Sequence, residues 1–183
     1  MAFLKAQPGK YNFGSPGSGS LDRLTMEMFR KNNGIDMTHV PCKGGAGPAV
    51  VGLIGGETQV MFITMASSIS FIKAGRIKGL AVTAPERLAL LPDVPTMVEL
   101  GYPDMVASSW QGILVPTGTP RDIVAKLHGA LKQTMETPDV RQRLSSGGAV
   151  ATTSKTPEEF AEFLASETRR WAKVAQDSGA KAD

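Results

Sequence analysis

Hydrophobic positions change their period several times along this chain, and each change marks an element. Leu21, Leu24, Met28 and Phe29 recur at helical spacing, with Gly34 placed to end that helix at its C′ position. Ahead of them residues 10–13 read as a short strand and residues 14–20 as a loop of small residues. Residues 36–40 alternate as a second strand, 41–45 form a second strand-to-helix loop, and 46–54 make a small apolar helix that stops at Gly55-Gly56. The run Val60, Met61, Phe62 and Ile63 predicts a strand over 58–64 covered on both faces. A short helix over 67–74 then ends at Gly75, and 77–83 reads as another buried strand. Strands alternating with helices predict βαβ units, a mostly parallel sheet and right-handed crossovers.

The character changes over 85–104, where Pro85, Pro92, Pro95 and Pro103 break the period around a brief helical turn at 96–100. Residues 106–115 resume an extended pattern containing Trp110. Beyond them Thr119-Pro120, Thr137-Pro138 and Thr156-Pro157 each open a helix, with threonine as N-cap, proline at N1, and Asp122 and Glu159 at N3. Ile123, Val124, Leu127, Leu131 and Met135 form one apolar stripe; Phe160, Phe163, Leu164, Trp171 and Val174 form another. A short strand over 148–153 is the only one expected between them. The pattern predicts an α/β lobe over 8–107 and a helix-rich part over 108–183 whose stripes need something to cover.

Composition narrows the class without naming it. With 42% hydrophobic and 20% charged residues in 183, the chain is globular, as one domain or two small lobes. The net charge is +3, and ten Lys/Arg against eight Asp/Glu up to residue 110, then ten against nine, leave no basic stripe to track phosphates. That argues against nucleic acid as a partner. Cys42 is the single cysteine and His39 and His128 stand far apart, so no disulfide, metal site or cofactor is predicted. The apolar runs fall short of a membrane span, and residues 1–10 contain no signal-peptide core.

Candidate chemistry concentrates in the Gly/Ser loop. Small residues feeding a helix leave the first-turn N–H groups unpaired and approachable, which makes an anion site. Ser15, Ser18 and Ser20 add hydroxyls, and Ser18 or Ser20 can serve as the N-cap. A capped surface turn is the competing reading. Gly19-Ser20-Leu21 lacks the lysine of a P-loop, and Asp22 stands where a dinucleotide fingerprint needs a small residue. The loop therefore fits a carboxylate better than a polyphosphate. Loops 14–20, 41–45 and 64–68 all follow strand ends and should converge on one crevice.

The segments PGKYNFGSPGSGS, HVPCKGG, GGETQVMF, IKAGRIKGLAVTAPERLALLPDVPTMVELGYP, SSWQGILVPTGTP and TPEEFAEFLASETRRWAKVAQDSGAK make the chain similar to the solute-binding proteins of tripartite tricarboxylate transporters, the Bug family. The resemblance covers essentially the whole chain, and the fourth segment is its most specific block. It implies an α/β, type II periplasmic-binding-protein-like fold in which two lobes hold a small carboxylate (a di- or tricarboxylate, or an aromatic acid) and pass it to membrane permease subunits from the periplasm. For this chain it implies one complete βαβ lobe plus a helix-rich carboxy-terminal remnant of the other lobe, the family's amino-terminal part being absent. The ligand-binding residues so assigned are Ser15, Gly17, Ser18, Gly19, Ser20, Pro41, Cys42, Lys43, Gly44, Phe62 and Thr64. Cys42 stands where the family usually has tyrosine, and Gln59 where it usually has aspartate, which argues against an amino-acid ligand. With half a lobe missing, the apolar stripes are expected to be exposed and to drive self-association.

Two alternatives stay open at this stage. Cys42 and His39 are the closest nucleophile and base, but three positions apart on a strand they face opposite sides unless Pro41 turns the chain, so catalysis is not predicted. The other alternative is a shortened remnant that binds nothing.

Overall fold

Two parallel strands joined by a helix organise the structure, as the changes of period predict. The computed structural model describes residues 2–179, so the last four positions of the helix-rich part lie outside the described residues. A short helix α1 (Ala2–Ala6) precedes strand β1 (Asn12–Ser15), helix α2 (Leu21–Asn33) and strand β2 (Thr38–Pro41). Helices α3 (Ala46–Ile54) and α4 (Met65–Lys73) follow, then a 3-10 turn at Pro103–Met105 and helices α5 (Arg121–Glu136), α6 (Pro138–Ser146) and α7 (Pro157–Ser178). The chain divides into two units. One holds the residues up to Ser109 together with those from Trp171 on; the other holds Trp110–Arg170.

In the first unit β1 pairs with β2 in parallel, with Asn12 opposite Thr38 and Ser15 opposite Pro41. The other edge of β1 meets Val60 in a parallel bridge at Phe13. Phe13, Met26, Ile35 and Met37 form the buried centre, with Leu4, Tyr11, Phe29, Val60 and Phe62 packed around it. Helix α2 is held at both ends as its sequence foretells: the Ser20 hydroxyl accepts from the Arg23 amide (3.2 Å), and Gly34 adopts the left-handed conformation at the C-cap. Helix α1 was not foreseen; Leu4 packs on the core and Phe3 lies 5.2 Å from Tyr11.

Several expected strands do not form. Only Val60 of 58–64 and Val82 of 77–83 make bridges, Val82 pairing with Thr96, while 106–115 and 148–153 contain no strand. The apolar runs are there, but a ladder also needs a neighbour's N–H and C=O groups. Helix α4 begins at Met65, two residues before the expected start. The proline-rich stretch is pinned by a reciprocal cap: the Thr96 amide donates to Glu99 (2.7 Å) and the Glu99 amide to the Thr96 hydroxyl (3.0 Å). Arg87 Nε donates to both Glu99 oxygens (2.9 and 3.0 Å), and these contacts, the Thr96 amide foremost, hold the Glu99 carboxyl below its usual range.

The second unit is helical. Trp110 packs edge-on against Phe160 and Phe163, with ring centroids 5.9 and 5.3 Å apart. Thr156 caps α7 by accepting from the Glu159 amide (3.1 Å), while Glu159 reaches back to the Lys155 amide. The other two expected threonine caps are not made. Pro120, not Thr119, is the N-cap of α5, so Asp122 falls at N2, and the Thr119 hydroxyl donates to the Pro116 carbonyl. Thr137 holds the N-cap position of α6, but its hydroxyl donates back to the Thr134 carbonyl.

Candidate functional site

The parallel register sends three neighbouring segments off the same sheet edge. Ser15 and Pro41 end β1 and β2 side by side, and the Val60 segment runs on in the same direction beyond its bridge to Phe13. Each then enters a helix: α2 after the N-cap Ser20, α3 after Gly45 and α4 after Thr64. Loops 14–20 and 41–45 thus share the carboxyl edge of the sheet, the position at which open α/β sheets take their ligands, with residues 61–64; the third loop expected at 64–68 is displaced, because helix α4 already begins at Met65. Three helix amino termini face the same side, and their partial positive charges add.

The sheet edge leaves backbone donors uncommitted. Among the described residues the amides of Gly19, Leu21 and Asp22 at α2, of Lys43 to Gly47 at α3, and of Met65 and Ala66 at α4 donate to no protein acceptor. Gly44 and Gly45 hold φ of 113° and 89°, conformations that turn the second loop and that only glycine adopts readily.

Other assigned residues are spent inside the protein. Ser15 is fully buried; its hydroxyl lies 2.7 Å from His39 Nε2 and 3.0 Å from the Gly17 carbonyl, and accepts from the Gly17 amide (3.3 Å). The Gly17 carbonyl also accepts from the Ser20 amide and hydroxyl, which closes the loop on itself. Ser18 is buried, and its carbonyl accepts from Arg23 Nη1 (3.1 Å). Pro41 and Lys43 are exposed, Cys42 is half-buried, and the Cys42 amide donates to the Ser15 carbonyl (2.9 Å). Phe62 packs edge-on to Phe29 at 6.0 Å and belongs to the core. Thr64 pairs its hydroxyl with Ser67 (3.1 Å). The Gln59 side chain accepts from the Asn12 amide (2.8 Å) and donates to the Gly56 carbonyl (2.9 Å), a tie between β1 and its neighbour. The imidazole of His39 is engaged by Ser15, not by Cys42, so the candidate nucleophile and base are not brought together.

Two features were missed. The usable amides at α3 and α4 extend to Gly47 and Ala66, and the residue before each helix was the available signal. Asp22, read only as an obstacle to phosphate, sits at the second position of α2, where burial pushes its carboxyl up to about 6. Among the described residues no group of three His, Cys, Asp or Glu side chains is placed to hold a metal ion, and no helix is long and apolar enough to cross a membrane.

Parallel strands, three helix amino termini on one edge and bare amides define an α/β lobe of the kind found in periplasmic solute-binding proteins. The chain belongs to the tripartite tricarboxylate transporter receptor family, whose pattern it matches over residues 1–180. It is 35% identical to BugT of Bordetella pertussis over 181 residues, which is 99% of this chain and 55% of BugT. Rpa4515 of R. palustris, solved with adipate, superposes with a TM-score of 0.85 at 29% identity, covering 97% of this chain and 59% of that one. MatC (Rpa3494) from Rhodopseudomonas palustris, solved with bound malate, gives 0.81 at 30% identity, covering 94% and 59%. This chain therefore spans a little over half the length of these relatives.

Proposed function

We propose that this chain supplies the anion-binding lobe of a periplasmic receptor for a small carboxylate, a di- or tricarboxylate or an aromatic acid, which it passes to membrane permease subunits without catalysis. The observation that carries this reading is the cluster of uncommitted amides at the amino termini of α2, α3 and α4. The adipate and malate bound by relatives support the ligand class. A carboxylate has two oxygens and no donor, which suits a site made of N–H groups; each charge-assisted bond contributes about 1.5–3 kcal/mol. The donors are Gly19 and Leu21 from the first loop, Lys43 and Gly44 from the second, and Met65 from the third. Ser15, Gly17 and Ser20 act from behind by fixing the loop, and Cys42 and Phe62 support it.

The test is calorimetric titration with three acid types, the dicarboxylates malate and adipate, the tricarboxylate citrate and the aromatic acid benzoate, repeated on Leu21→Pro. Ser20 already has φ −72° and ψ 149°, which a following proline accepts, and proline is tolerated at the first helical position. That variant removes one amide and should weaken binding about tenfold or more with little change in unfolding temperature. No heat with any of these acids, or full affinity in Leu21→Pro, refutes the reading.

A further inference from the structure

The Ser15 side chain is a crossing point between the first two loops, and its single hydrogen decides what its neighbour must do. A hydroxyl donates once and accepts twice. Buried at the end of β1, the Ser15 oxygen lies 3.0 Å from the Gly17 carbonyl, accepts from the Gly17 amide at 3.3 Å and lies 2.7 Å from His39 Nε2. With the hydrogen turned to His39, the Ser15 and Gly17 oxygens would stand 3.0 Å apart with no proton between them and their lone pairs opposed. Giving that hydrogen to Gly17 leaves the second accepting position of Ser15 for an N–H of the imidazole. All three contacts are then satisfied, and His39 is the donor.

The strand register makes that donation structural. His39 stands on β2 opposite Phe13, its ring 4.9 Å from the Phe13 ring, and Ser15 follows Phe13 on the same face of β1. Three positions beyond His39, the Cys42 amide donates to the Ser15 carbonyl (2.9 Å). Ser15 is thus tied to β2 through its side chain and to the start of loop 41–45 through its backbone. The Gly17 carbonyl that takes the Ser15 hydrogen also takes the Ser20 amide and hydroxyl, and Ser20 caps α2. One chain of bonds therefore runs from His39 through Ser15 and Gly17 to the helix start beside the uncommitted amides of Gly19 and Leu21.

We propose that His39 is the positioning residue of loop 14–20: by donating Nε2–H to Ser15 it holds that loop closed on itself, with the Gly19 and Leu21 amides left for a ligand in step with those of Lys43 and Gly44. It touches no ligand itself. Its effect on affinity rests on the carboxylate reading above, whereas its effect on the loop does not.

The test has a spectroscopic arm and a binding arm. With nitrogen-labelled histidine the chain gives only two imidazoles, His39 and His128. At about pH 8, where an ordinary imidazole is neutral, that of His39 should carry its proton on Nε2, and a bare Nε2 overturns the proposal. His39→Phe keeps a ring beside Phe13 and loses the donor. It should speed hydrogen exchange of the Ser20 amide about fivefold and weaken malate binding about fivefold, the equivalent of one hydrogen bond, while lowering the unfolding temperature by about 2–4 °C. His39→Gln, which returns an N–H donor at the same position along the side chain, should bring exchange and affinity back to within about twofold of the parent. In a Ser15→Ala chain, adding His39→Phe should change neither by more than about twofold, because the bond through which it acts is already gone. Unchanged Ser20 exchange or full malate affinity in His39→Phe overturns the proposal, as does a failure of His39→Gln to rescue or a further loss in the Ser15→Ala chain. If the parent binds none of the acids, the carboxylate reading fails by itself, and the proton on Nε2 with the exchange of Ser20 still decides the role of His39.

Discussion

Removing the charge of Asp22 is the sharpest test of the first helix terminus. Burial lifts its carboxyl from an ordinary value of 3.8 to about 6, so the folded chain holds this proton more tightly than the unfolded chain does. Stability from this group is therefore greatest below about 3.8, declines as pH rises, and is fully lost above about 6. A change of that size corresponds to about 3 kcal/mol. The bare amides at the start of α2 favour a negative charge there by about 0.3–1 kcal/mol, an effect that burial outweighs and that the shifted value already contains. Asp22→Asn keeps the shape and removes the charge, and should be more stable than the parent by about 3 kcal/mol at pH 7.5, with the difference vanishing near pH 4. Urea unfolding followed by circular dichroism, run on both proteins across that range, measures it. Comparing the two cancels carboxylates that act in the opposite sense, such as Glu99 and Asp177, both held below their usual range. A difference independent of pH, or a less stable Asp22→Asn at pH 7.5, would refute the reasoning. Malate should also bind Asp22→Asn more tightly at pH 7.5, because one negative charge has left an anion site.

Three further expectations come from single contacts. Thr58 is buried with its hydroxyl unpartnered, so Thr58→Val should stabilise the first unit by about 1 kcal/mol in urea unfolding; destabilisation would mean that the hydroxyl is satisfied. Ser20→Ala loses the bond accepted from Arg23 and the one donated to Gly17, and should cost about 1–2 kcal/mol in the same assay. Gly112→Ala forces the Phe160 ring aside, which should cost about 1–3 kcal/mol and shift Trp110 emission, with Phe160→Leu in the same chain restoring stability.

Helices were more legible in the sequence than anything else, because their signals are local. Ala46–Ile54 lies within its expected bounds, Gly34 closes α2 as foreseen, and the capping pair Thr156 and Glu159 opens α7. Where a local signal had two outlets, the sequence could not choose. Thr119 and Thr137 each turn the hydroxyl back to a preceding carbonyl, an equally short-range bond. The three-loop edge was legible from strand-to-helix order, but the use of each side chain was not. Ser15 looked like a ligand donor, yet its partner is His39, 24 positions away and brought alongside by the β1–β2 register.

Strands were misjudged for one reason that also explains the site. An apolar run states how many faces of a segment are covered, whereas a ladder depends on which edge lies beside it. β1 has neighbours on both edges, β2 and Val60, and it is fully buried over Phe13, Gly14 and Ser15. Val60 and Val82 each have one bridge, and residues 110–115 have none among the described residues. Pairing thus falls away along the chain after β2, although the apolar character of the runs does not. The loop at the centre can fold its own hydroxyls and carbonyls inward and leave amides outward only because β1 is held from both sides. The run at 110–115 is apolar too, but among the described residues its peptide groups meet no hydrogen-bonding neighbour, and its edge stays open.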